Sequence, residues 1–218
     1  MIGRKFCLKL ARDGSLGGAP IESLRMIDVV AAGDLPGAPF SVTSEAANIA
    51  ERSLAPRLIA DRPDLIVHLA AIVSGEAEID FDKGYAVNLD GTRFIFDAIR
   101  AEHLLSGGAY RPRVVFSSSI AVFGAPFPDP IPDDYHLTPL TSYGAQKAAG
   151  ELLLADYTRK GFFDGVGLRF PTICVRPGKP NAAASGFFSN IIREPLVGQK
   201  AILPVPETVR HTHATPRA

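Results

Sequence analysis

Apolar and polar positions along the chain switch repeatedly between the period of a helix and the continuous apolar runs of buried strands. Gly3 to Arg12 carries helical periodicity and meets a stop signal at Asp13-Gly14. LRMIDVV, Leu24 to Val30, predicts a short strand whose end holds an acidic residue. A helix follows from about Arg52 to Asp61, and then DLIVHLAA, Asp64 to Ala71, an apolar run of the kind buried on both faces. Helical spacing resumes from about Asp82 to Leu105, with Ala86, Leu89, Phe94 and Ala98 among its apolar positions. RVVFSSS, Arg113 to Ser119, predicts the next strand, followed by a Pro-rich loop from Ala125 to Pro139. A helix around Tyr143 and the strand GVGLRF, Gly165 to Phe170, complete the regular part. After Pro171 the pattern loosens, with one helix-like piece near Phe187 to Arg193. Strand and helix alternate, which predicts an α/β fold built on a parallel sheet.

Composition narrows the function classes. The 218 residues are 46% hydrophobic and 21% charged, a profile that can fund a buried core. Lys plus Arg number 23 and Asp plus Glu number 23, so no net field draws the chain to nucleic acid or an anionic membrane. The longest apolar run, around Leu65 to Val73, is broken by His68 and is far too short to cross a bilayer; no signal peptide is expected either. Cys7 and Cys174 sit in apolar contexts, predicting buried free thiols in a reducing cytosol, and no metal-ligand spacing competes with that reading.

Ligands of open parallel sheets bind beyond the carboxyl ends of the strands, and three polar signals fall there. Asp28 could accept hydrogen bonds from a ribose diol, which favours NAD over NADP, or it could be an ordinary loop aspartate. HLAAIVSG, His68 to Gly75, offers small residues that let a flat ligand approach the backbone. Ser117, Ser118 and Ser119 end the strand before the Tyr143 helix. On that helix Tyr143 and Lys147, four apart, share a face beside an expected sheet-facing stripe of Ala145, Ala148, Leu152 and Ala155. A phenol near pKa 10 is a poor base, and a neighbouring ammonium is expected to lower it.

These pieces resemble the extended short-chain dehydrogenase/reductase superfamily, the NAD-dependent epimerase/dehydratase group: Asp28, HLAA, VNLDGT (Val87 to Thr92), SSSIAVFG (Ser117 to Gly124) and YGAQK (Tyr143 to Lys147) occur in its order. The resemblance implies a Rossmann-like doubly wound parallel sheet, here lacking its first strand, in an incomplete NAD-binding domain over residues 1–168. Part of a small substrate-binding lobe would follow over 169–218. It implies Tyr143 as acid/base, Lys147 on the nicotinamide ribose, Ser119 as the catalytic serine with Ser118 its rival, and Asn88 as a structural and proton-relay residue. Gly3, Asp28, Asn48, Leu69, Ala70, Ala71, Ser117, Pro171 and Thr172 would contact the cofactor.

The segments AAIVSGEAEIDFDKGYAVN, PIPDDYHLTPLTSYGAQK, FPTICVRPGKPNAAASGFFSNIIREPLVG and LPVPETVRH look like the D-erythronate dehydrogenase branch. That branch implies oxidation of the C2 hydroxyl of a four-carbon sugar acid to the 2-keto acid, with Ser74 near nicotinamide or substrate. A substrate carboxylate needs a cation, and Arg176, Arg193 and Arg210 are candidates, Arg176 and Arg193 ahead. A homodimer is compatible with the resemblance. The family's first strand and its two earlier glycines have no counterpart, since only Gly3 matches the last glycine of the loop; its two sheet neighbours are expected to be left unpaired. Two further readings stay open: a nucleotide-sugar epimerase or dehydratase using the same residues, and an inactive fragment that binds no cofactor.

Overall fold

A computed structural model of the protein describes residues 1–176 and 183–216. Part of the segment that carries the branch resemblance, residues 177–182, lies outside the described residues, as do residues 217–218. The chain opens with α1 (Ile2–Asp13), which stops at Gly14, whose left-handed φ of 65° lets its amide close onto Leu10 O at 2.8 Å. A two-residue-strand hairpin, β1 (Ser15–Leu16) and β2 (Ala19–Pro20), leads into β3 (Ser23–Asp28), β4 (Ser41–Ala46), α2 (Leu54–Ile59) and β5 (Leu65–His68). Next come α3 (Ser74–Ile79), α4 (Phe81–Gly84), a π-helical segment (Tyr85–Asp90), α5 (Gly91–Leu105) and β6 (Arg113–Ser119). Past a 3-10 turn (Ile120–Val122) the chain forms α6 (Ser142–Arg159), β7 (Asp164–Phe170), β8 (Thr172–Ile173), a second 3-10 turn (Ala184–Gly186), α7 (Phe187–Leu196) and β9 (His213–Ala214).

The α/β alternation and parallel pairing are present, but the strands are divided among four sheets, two of them the short pairs β1–β2 (antiparallel) and β8–β9 (parallel). β3 and β4 pair in parallel from Ser23↔Ser41 to Asp28↔Ala46, and β5, β6 and β7 form a parallel three-stranded sheet in that order. The free edges of β3 and β5 line a common slot, which continues into a cleft of about 2310 Å³ beyond the strand ends. This matches the expected loss of a central strand: among the described residues, no strand pairs with the second side of β3 or of β5.

Several boundaries differ from the sequence pattern for local reasons. β3 ends at Asp28, two residues early, because the Asp28 carboxylate takes the Val29 amide at 2.7 Å and turns Val29 and Val30 into solvent. β5 ends at His68, where its ladder with β6 runs out opposite Phe116. The helix expected from 82 to 105 is interrupted by the π-helical segment, which turns Asn88 inward. β4 and α3 were not visible in the pattern, since SVTSEA and SGEAEI carry little apolar periodicity.

The core lies between α5, β6 and α6, where Phe96, Ile99, Val114, Phe116 and Phe163 are fully buried. Each such side chain contributes roughly 1.5–3 kcal/mol by leaving water. A smaller cluster of Ala11, Met26 and Leu35 fixes α1 onto β3. Beyond β7, Phe188 of α7 packs against His211 and His213 at 4.5 and 4.6 Å between ring centroids, so those two histidines serve aromatic packing beside the β8–β9 pair.

Candidate active site

The site forms where β6 ends and α6 begins. Gly144 makes the junction tight: a Cβ there would lie 2.3 Å from the Ala121 carbonyl, so only glycine lets the first turn of α6 rest on the turn after β6. Thr141 caps that helix by accepting the Gly144 amide at 3.0 Å, and Glu78 of α3 accepts the Ser142 amide. Tyr143 is thereby set beside Ser119, whose hydroxyl accepts the Ala121 amide at 3.1 Å.

The sheet-facing side of α6 keeps only part of the expected alanine and leucine stripe, Ala148 with half-buried Ala145. Gly144, Lys147, Ala148, Gly150 and Leu154 are buried, whereas Leu152 is 67% exposed and Ala155 is exposed. Positions 143, 147, 150 and 154 follow the helical spacing that meets the sheet, which carries the Tyr–Lys pair into the interior instead of beside it. Lys147 is 1% exposed; its Nζ donates to the Ser117 carbonyl at 2.8 Å and lies 4.9 Å from the Phe116 ring centroid and 5.8 Å from that of Tyr143.

The electrostatics correct one expectation. Burial pushes the Tyr143 phenol above its ordinary value, while the Ser119 hydroxyl and the Arg176 guanidinium pull it back down. The Lys147 ammonium, expected to lower the phenol, is committed to the Ser117 carbonyl, and burial lowers its own pKa to about 8. His68, in the cleft wall, is pushed down to about 3 by burial first and by the Lys147 charge second. Its Nε2 lies 2.9 Å from Thr92 Oγ1, and Thr92 donates its one proton to Asn88 O, so Nε2 carries the hydrogen.

The other expected residues fall into distinct groups. Gly3, Asp28, Leu69, Ala70, Ala71, Ser74, Ser117, Ser118, Ser119, Tyr143, Lys147, Pro171, Thr172, Arg176 and Arg193 all line the cleft. Asn48 does not: it is exposed and its side chain accepts the Ala50 amide at 3.0 Å in a local turn. Asn88 is fully buried behind the wall, accepting the Ile72 amide at 2.9 Å, and so acts on the loop instead of reaching the cleft. Ser118 gives its hydroxyl to Glu151, which also holds Arg169 through two nitrogens, so Ser118 is committed to that ion pair and Ser119 keeps the place beside the phenol. Ser74 accepts the Ala184 amide at 3.0 Å, a bond that ties α3 to the segment before α7.

The three arginines separate cleanly. Arg210 also lines the cleft but is exposed and paired with Asp129. Arg193 spends its guanidinium on Arg176 O at 2.8 Å, Asn190 at 2.7 Å and Glu194 at 2.8 Å. Arg176, whose amide rests on Ser189 Oγ at 3.2 Å, keeps a guanidinium without an ion pair among the described residues, close enough to Tyr143 to act on its pKa. Ser189, Gln146 and Thr92 were missed from the sequence, because a lone polar residue in a helix reads as surface until its burial is known.

A dinucleotide fits these residues. The first turn of α1, with no side-chain cap at Met1, presents amides without intrahelical acceptors at the cleft, and Gly3 packs over Leu69 there. Asp28 stands at the carboxyl end of β3, and Lys147 lies deeper beside Tyr143.

A model of the NAD dependent epimerase/dehydratase family matches residues 1–211. The D-erythronate dehydrogenase of Cupriavidus necator is 48% identical over 197 residues, covering 89% of this chain and 58% of that protein. The D-erythronate dehydrogenase of Haemophilus influenzae is 51% identical over 153 residues, covering 70% of this chain and 47% of that protein. The chain thus spans about half the length of the curated relatives it matches. A crystal structure described as the nucleoside-diphosphate-sugar epimerase from Agrobacterium tumefaciens superposes with a TM-score of 0.92 at 64% identity, over 99% of this chain and 63% of that one. The UDP-glucose 4-epimerase of Thermus thermophilus in complex with NAD shares the fold, with a TM-score of 0.74 at 19% identity.

Proposed function

The chain belongs to the NAD dependent epimerase/dehydratase family, and from that premise we propose that it oxidises the C2 hydroxyl of a small sugar acid such as D-erythronate to the 2-keto acid. The observation that carries this reading is the company of Tyr143: one hydroxyl, Ser119, and one guanidinium without an ion pair among the described residues, Arg176. In a 2-hydroxy acid the carboxylate sits one bond from the carbinol carbon. A cation near the phenol can therefore hold the carboxylate while the phenol meets the C2 oxygen. The relatives named D-erythronate dehydrogenase support the same substrate class.

NAD, when bound, supplies the hydride acceptor at its nicotinamide ring. Asp28, Gly3 with the first-turn amides of α1, and the backbone from Leu69 to Ala71 would hold it, with Ser117, Pro171 and Thr172 closing the wall. Ser119 fixes the substrate oxygen, and Tyr143 in its phenolate form takes the hydroxyl proton as the C2–H bond breaks and the C2–O bond becomes a carbonyl. Because burial holds the phenol up, proton loss from Tyr143 is favoured by alkaline solution and by the Arg176 and Ser119 contacts. Lys147 anchors the end of β6 and places one positive charge at the cleft floor. The free thiols Cys7 and Cys174 suit a cytosolic enzyme.

The test is incubation of the purified protein with NAD and D-erythronate, with the appearance of NADH absorbance as the expected result. Silence with D-erythronate and with every other four-carbon sugar acid would refute it. The name of the Agrobacterium tumefaciens structure favours a second reading, a nucleotide-sugar epimerase, in which hydride is returned to the substrate. That reading predicts turnover of a UDP- or GDP-sugar with no net NADH.

A further inference from the structure

Between the tyrosine and the lysine of α6 lies Gln146, a residue that the chemistry above does not use. It is fully buried, and its Oε1 accepts a hydrogen bond from Asn88 Nδ2 at 2.8 Å. Asn88 in turn grips the loop after β5 at both backbone groups of one residue, accepting from Ile72 N at 2.9 Å and donating to Ile72 O at 3.3 Å. The orientation of the Gln146 carboxamide is fixed by this pairing, because the Asn88 oxygen is already used by an amide and only its nitrogen can face Gln146. The remaining group, Gln146 Nε2, is buried without a hydrogen-bond partner among the described residues. It is aimed at Gly84, where an added Cβ would come within 2.7 Å of it.

A buried amide nitrogen with no acceptor opposes folding, and an apolar side chain of the same volume would avoid that cost. Its presence calls for a compensating role, and the geometry offers one. The π-helical segment turns Asn88 inward, Gln146 holds it there, and Asn88 locks the loop from Leu69 to Val73 against the helix that bears Tyr143 and Lys147. That loop is one wall of the cofactor cleft. We propose that Gln146 is a positioning residue, which acts through Asn88 to set the β5–α3 loop against the Tyr143–Lys147 face of α6. This rests on the reading that the cleft binds NAD, but its primary readout does not.

The experiment compares wild type with Gln146→Met, which removes both polar groups at similar volume, and Gln146→Glu, which keeps an acceptor for Asn88. Amide hydrogen exchange at Ile72 should quicken at least fivefold in Gln146→Met and return towards wild type in Gln146→Glu, while β6 and the rest of α6 keep their protection. The urea midpoint of Gln146→Met should stay near that of wild type, because removing the unpaired Nε2 offsets the loss of the Asn88 acceptor, and its Kd for NAD should rise several-fold. Asn88→Ala should reproduce the Ile72 effect without Gln146 being touched. Unchanged exchange at Ile72, or a Gln146→Met protein that unfolds earlier or fails to fold, would overturn the proposal, because a merely structural glutamine gives those outcomes. A wild-type chain that ignores NAD would refute the functional reading, while the Ile72 exchange would still decide the role of Gln146.

Discussion

Acid should weaken this fold before any carboxylate is protonated, and His68 is the reason. Burial of the imidazole beside Phe116, and then the Lys147 charge, hold its pKa near 3 instead of 6.5, while Nε2–H is donated to Thr92. Between those two values the unfolded chain binds a proton that the folded chain refuses, so stability falls as pH drops through that window. Each unit corresponds to about 1.36 kcal/mol. From pH 6.5 to pH 5 the loss is therefore about 2 kcal/mol, a large part of the roughly 5–15 kcal/mol that holds such a domain together. The assay is urea unfolding at pH 7 and pH 5 for wild type and His68→Gln, whose amide can still donate to Thr92 but does not titrate. His211, also pushed down by burial, contributes equally to both proteins and cancels in the difference. Wild type should lose about 2 kcal/mol more than the variant. Equal losses would mean that His68 is charged in the folded state, and would refute the reasoning.

Lys147 gives the mirror experiment at high pH: its pKa near 8, against 10.5 in the unfolded chain, makes stability rise between those values, by about 3 kcal/mol in total. Lys147→Met should flatten that rise in urea unfolding and abolish NAD binding in titration. Gly144→Ala should drive a methyl into the Ala121 carbonyl, shift the start of α6 and lower the free energy of unfolding, read from urea melts, by more than about 1 kcal/mol, against the slight gain expected of alanine in an open helix. Arg176→Ala should raise KM for the sugar acid about 10- to 100-fold through a lost charged hydrogen bond, with a smaller effect on the Kd for NAD in the same preparation. Glu151→Ala should cost about 1–3 kcal/mol by calorimetry, because it leaves Arg169 and the buried Ser118 hydroxyl without their shared acceptor.

The sequence carried the alternation of elements and the neighbourhood of Tyr143, Lys147 and Ser119, because long apolar runs and a Tyr–Lys pair at helical spacing survive any detail of packing. Apolarity alone does not mark the sheet-facing side of α6: Ala148 is buried, but Leu152 is exposed and Lys147 lies inside with its charge on a carbonyl. The direction of the Tyr143 shift was missed for a related reason, since burial of a phenol outweighs a cation that is turned elsewhere. The sequence sets Arg176 and Arg193 ahead of Arg210 but does not separate the first two. The final choice depends on which guanidinium is already paired, and that is a property of three-dimensional neighbours.

The short helix α3 holds two distant parts of the molecule with residues one turn apart. Ser74 anchors the backbone at Ala184, on the arginine side of the cleft, and Glu78 anchors Ser142, at the root of the tyrosine helix. A tilt of this one strut moves both ends together. In the proposed reaction, grip on the carboxylate and aim of the proton acceptor are therefore mechanically linked, and neither is tuned independently without first cutting one of the two tethers.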